Sequence, residues 1–103
     1  MPVSVKLPNE FQGIYKHIFK CNPEEGTVQL VIHELRRRLA EYRLMENKLH
    51  NKYNMAFEEF KSKKMVEESG RSFEVEEDFC DWELALDGID TINNELKRIA
   101  KYT

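Results

Sequence analysis

Three histidines, two cysteines and a run of carboxylates are the side chains of this 103-residue chain with the most obvious chemical potential. His17, His33 and His50 stand far apart, and none has a His, Cys or carboxylate partner at a ligand spacing. A metal site needs three or four convergent ligands, so no metal and no other cofactor is expected. Cys21 and Cys80 have no base beside them in any recognisable pattern, and a thiol nucleophile needs one within hydrogen-bond reach. Each has a phenylalanine close by, Phe19 and Phe79, so both are expected to be buried structural thiols. The four glycines are scattered and make no phosphate-cradling loop. No residue is assigned as catalytic, and the chain is not expected to be an enzyme.

The carboxylates Glu74, Glu76, Glu77, Asp78, Asp81, Glu83, Asp87 and Asp90 crowd one stretch. Without accompanying histidines they suit a solvated acidic face or a docking surface for a basic partner better than metal catalysis. Trp82, the only tryptophan, lies among them with Phe79 and Leu86. It suits the core, or an aromatic interface anchor rimmed by charge. Phe73, Glu77, Phe79, Asp81 and Trp82 are therefore the candidate partner-binding residues. Arg36, Arg37, Arg38 and Arg43 form the main basic cluster. Consecutive positions fan around a helix, so the three cannot read one groove together, and at least one should pair with Glu34 or Glu41.

The elements that position these residues are mostly helical. Val3, Val5 and Leu7 alternate with Ser4 and Lys6, as in a short half-buried strand ended by Pro8. Asn9 can cap a helix with Phe11, Ile14, Tyr15, Ile18 and Phe19 on its apolar face. Asn22-Pro23-Glu24-Glu25 is a strong helix start. The stripe from Val28 to Tyr53 extends that helix to roughly 45 Å, with Gly26 as its weak point. Asn54 can end it and cap a helix carrying Phe57, Phe60 and Met65. Glu67 to Ser72 is a loop, and a last helix runs from about Glu76 to Ala100. The expected fold is mainly α: a short N-terminal strand followed by about four helices including one long helix, assembled as a helical dimer. Residues 1–53 form a strand and helix-helix dimerisation unit, and residues 54–103 a helical acidic partner-binding region.

Charge divides along the same line. Residues 1–66 carry twelve Lys/Arg against eight Asp/Glu, and residues 67–103 four against eleven. Such a split implies different partners for the two halves, or contact between them. The N-terminus has no apolar signal core and no apolar run approaches a membrane span. With two unpatterned cysteines, a cytoplasmic location is expected.

The order strand, helix, turn, long helix, opening on VSVKLPNEF, resembles the ribbon-helix-helix family of DNA-binding dimers. That resemblance implies a homodimer whose paired strands enter the major groove, with Val3, Val5 and Leu7 inward and Ser4 and Lys6 toward DNA. The second half, KYNMAFEEF followed by SFEVEEDFCDWELALDGI, resembles small uncharacterised prokaryotic proteins similar to antitoxins encoded beside nuclease-like toxins. Asn54 replaces a Gly of that set and Phe73 a Trp. The resemblances together imply an antitoxin-like regulator that dimerises, binds DNA through its N-terminal strand and captures a basic toxin-like protein with its acidic C-terminal helices. The alternative is a structural helical interaction protein that binds no nucleic acid.

Overall fold

Asn22 sets the longest element. Its side-chain oxygen accepts a hydrogen bond from the Glu25 N–H at 2.9 Å, Pro23 occupies the first helical position, and Glu24 and Glu25 lie where the helix dipole favours acids. In the computed structural model, which describes residues 7–20 and 22–103, the helix so started runs unbroken from Pro23 to Tyr53. Preceding it is α1 (Asn9–Phe19), so the long helix is α2; then come α3 (Phe57–Ser62), α4 (Met65–Glu68) and α5 (Phe73–Ile99), closed by a 3-10 turn over Ala100–Tyr102. At 31 and 27 residues, α2 and α5 are about 46 and 40 Å long. They pack along one another as the two arms of a hairpin, with α3 and α4 forming the bend. The molecule measures 60 × 26 × 23 Å with a radius of gyration of 19.9 Å, against about 13 Å for a compact domain of this length.

This corrects the expected fold. Val3, Val5, Ser4 and Lys6 lie outside the described residues, and there is no strand among the described ones. Leu7 and Pro8, the first described residues, are tied to the helix that follows. The Leu7 carbonyl accepts from the Gln12 side chain at 2.8 Å and the Pro8 carbonyl from the Gln12 N–H at 2.9 Å. Their acceptors are thus used by the first turn of α1, where a strand would need a neighbouring strand. The ribbon of a ribbon-helix-helix dimer therefore has no counterpart among the described residues. Among the described residues there are five α-helices instead of about four, and two of them are long. The last begins at Phe73, ahead of Glu76, and the loop expected over Glu67–Ser72 gives up its first two residues to α4.

Gly26 is no weak point, because Tyr15 fills the space a side chain would take. A Cβ there would lie 1.8 Å from the Tyr15 hydroxyl, which donates to the Pro23 carbonyl at 2.9 Å. This is the lock that holds α1 on the start of α2. Only the Tyr15 and Phe19 edge of α1 is covered; Phe11, Ile14 and Ile18 remain exposed. A second close approach joins the long arms, where the Tyr42 ring lies against Gly88 with 2.5 Å to the position of a Cβ. Asn54 ends α2 in the left-handed conformation, φ 53°, but the next helix starts two residues later from Ala56 without a side-chain cap.

The core gathers at the bend. Leu49, Phe57, Phe60 and Trp82 are buried, with Tyr53, Met55, Met65, Val66, Val75, Phe79 and Leu86 packed around them. The Trp82 ring is centred 5.3 Å from both Phe57 and Phe60, and Tyr53 meets Phe60 edge-on at 4.8 Å. Such tilted pairs add about 0.5–1.5 kcal/mol each beyond the area they bury. Along the arms the cover thins to Leu39, Ala85 and Ile92.

Candidate functional site

Helix α5 separates its residues by the helical repeat. Trp82, Ala85 and Ile92 face α2 and are buried. On the opposite side, Phe73, Glu77, Cys80, Leu84 and Asp87 follow one another at intervals of three or four residues, so they share one outward stripe. Phe73 is 79% exposed and Leu84 61% exposed, and about 16 Å of helix separates them. Two large apolar side chains left in water on one acidic face are the most notable surface feature of this helix.

The carboxylates of α5 fall into two groups. Glu74 and Asp78 both accept from the Lys52 ammonium at 2.6 Å, and Asp78 also accepts from the Tyr53 hydroxyl at 2.5 Å. Glu76 meets Arg71 at 3.7 Å. Glu77, Asp81, Glu83, Asp87 and Asp90 make no ion pair among the described residues. Glu74 and Asp78 pin α5 to the end of α2; the unpaired group leaves the outer side of the helix negative.

Burial pushes the Asp78 carboxyl up, but the Lys52 ammonium and the Tyr53 hydroxyl outweigh it and hold the group below its ordinary value. Burial, together with Asp78, pushes the Tyr53 hydroxyl up to about 12. A carboxylate depressed in the folded state stabilises above its unfolded value, about 3.9, and that contribution is lost as pH falls through the folded value. Urea titrations should therefore show wild-type stability dropping below about pH 4. Asp78→Asn should be less stable at pH 7 and lose less on acidification. Equal acid sensitivity of the two proteins would remove Asp78 from this role.

Of the five candidate partner-binding residues, Phe73 and Glu77 lie together on the outward stripe. Asp81 is half-buried, and Phe79 is half-buried against Phe57 at 5.4 Å. Trp82 is 0% exposed, and its indole N–H donates to a Glu46 carboxylate oxygen at 2.9 Å across the arms. It therefore serves as core and not as a surface anchor. Leu84 was the residue sequence reasoning missed. Its spacing of eleven from Phe73 places it on the same face, but it carries no aromatic ring to mark it as an anchor. Cys80 is a free thiol and is exposed, contrary to the expectation of burial; its Phe79 neighbour turns inward while Cys80, one position on, turns out. Cys21, Ser4 and Lys6 lie outside the described residues.

Elsewhere the chemistry is structural. Arg37 bonds both Glu34 and Glu41, and Arg38 bonds Glu34 at 2.9 Å. Hydrogen bonds from Arg37 and Arg38 bring the Glu34 carboxyl down to about 2. These groups are solvated, so the cluster adds little to stability. His17, His33 and His50 are exposed. Among the described residues no three His, Cys, Asp or Glu side chains converge as metal ligands, and no helix is long and apolar enough to cross a membrane. Comparison with protein-family models, curated protein sequences and solved structures finds no match, and lends no support to either resemblance.

Proposed function

We propose that this chain is a helical interaction protein that captures a basic protein partner on the outward face of α5. The observation that carries the reading is the stripe itself: Phe73 and Leu84 exposed three turns apart, with Glu77 and Asp87 on the same face and no cation paired to either among the described residues. Apolar anchors supply the affinity of such a contact, and the charge around them supplies steering and selectivity. Both anchors lie on one continuous helix, which fixes their spacing and lowers the ordering cost of binding. An antitoxin-like role is the narrower form of the proposal. A nuclease-like toxin must hold phosphates and is basic for that reason, so it has the charge this face would select.

The test compares proteins retained from source-cell extract by the wild type and by a Phe73→Ala/Leu84→Ala variant. Each protein that distinguishes the two is purified and titrated by calorimetry. Both side chains are exposed, so the variant should fold with stability within about 0.5 kcal/mol per substitution of wild type. Its affinity for the partner should fall at least tenfold, about 1.4 kcal/mol, and Glu77→Lys/Asp87→Lys should slow association. Identical capture by wild type and variant, or an acidic partner, would count against the proposal.

A further inference from the structure

Between the α3–α4 bend and α5 lies a groove of about 470 Å³, a size typical of small-molecule sites (about 300–1,000 Å³). Its apolar lining comes from Phe60, Met65, Val66 and Phe79, and Cys80 stands on its α5 wall. Lys61, Lys64 and Arg71 also line it, along with Glu67 and Glu76. Arg71 is held loosely by Glu76 at 3.7 Å, whereas Lys61 and Lys64 make no ion pair among the described residues. Lys61 sits over the Phe57 ring at 5.5 Å, which keeps its ammonium beside the apolar surface. Three cations against two carboxylates leave the slot's rim slightly positive, in a chain of net charge −3.

The backbone gives a second reason to look here. Lys64 and Arg71 both adopt left-handed conformations, φ 50° and 59°. That region penalises every residue with a Cβ, and Gly or Asn would fill it at lower steric cost. Both corners flanking α4 are instead filled by long cationic side chains that line the groove.

We propose that this groove binds a small amphipathic carboxylate, its apolar tail over Met65, Val66 and Phe79 and its carboxylate between Lys61 and Lys64. The site shares Cys80 with the edge of the outward stripe, but it needs the α3–α4 bend, and Phe73 and Leu84 do not line it. Decanoate, kept below its micellar concentration, is the probe, with octanoate, decanol and an acidic phenylalanine-containing peptide as comparisons. Two readouts apply to the full chain: fluorescence of Trp82, whose ring is 5.3 Å from Phe60, and the rate of Cys80 alkylation measured by peptide mass spectrometry.

Decanoate should bind saturably and slow Cys80 alkylation. Octanoate should bind more weakly, by up to about fourfold per methylene removed. Decanol should bind at least tenfold more weakly, as should decanoate to Lys61→Glu/Lys64→Glu, whose circular dichroism should match wild type because both side chains are exposed. Absence of saturable decanoate binding, equal affinity for decanol, unchanged affinity in the charge-reversed variant, or binding of the peptide alone would each overturn the proposal.

Discussion

Trp82→Ala is expected to destabilise the fold by about 3–5 kcal/mol, much of the total stability of a domain this size, about 5–15 kcal/mol. The indole is fully buried, packs on Phe57 and Phe60, and is one of the two largest side chains wholly removed from water. Its loss opens a cavity where α2, α3 and α5 share a core, and it leaves the Glu46 carboxylate without its donor. Trp82→Phe separates the two contributions. It retains an aromatic ring and removes the hydrogen bond, and should cost about 1–3 kcal/mol. Urea unfolding followed by far-ultraviolet circular dichroism measures both. A cost below about 1 kcal/mol for Trp82→Ala would be ordinary for an average substitution and inconsistent with a core anchor. A partner would have to open the hairpin to reach this side chain.

Gly88→Ala should destabilise by about 1–3 kcal/mol, even though alanine is the better helix former by nearly 1 kcal/mol. The new Cβ would fall 2.5 Å from the Tyr42 ring, so the arms must separate or the ring must leave its place. The same substitution in a Tyr42→Ala background meets no ring, and the propensity gain then stands alone. The effect of Gly88→Ala should thus reverse sign, becoming stabilising by up to about 1 kcal/mol. A double-mutant cycle by chemical denaturation measures this coupling. Additive effects would mean that the two helices do not depend on this contact.

The long helix was legible because Asn22, Pro23 and the two following acids are local signals, and local signals survive into the structure. Gly26 was misjudged because its meaning is tertiary: a glycine weakens an isolated helix, but here it accepts a tyrosine from another element. Much the same holds for α5. Phe73 and Trp82 look alike as aromatics among acids, and only the position of α2 decides that one is buried and the other exposed. At the N-terminal edge of the described residues, the Leu7 and Pro8 carbonyls turn to Gln12, a contact that alternation of side chains does not reveal. The groove was illegible because its lining comes from three helices and its cations from α3 and the two corners flanking α4.

The one-ended core also sets an order of assembly. Contacts nearest the bend join residues close in sequence: Lys52 to Glu74 spans 22 positions, Tyr53 to Asp78 spans 25, and Glu46 to Trp82 spans 36. Closing a chain loop costs entropy that grows with its length, by about 0.6 kcal/mol for each doubling. The aromatic end is thus both the cheapest loop to close and the one with most apolar surface to gain. Once it has formed, each further turn of α2 against α5 extends an existing alignment and closes no new long loop. The hairpin is accordingly expected to zip from the bend toward Val31 and Ile99.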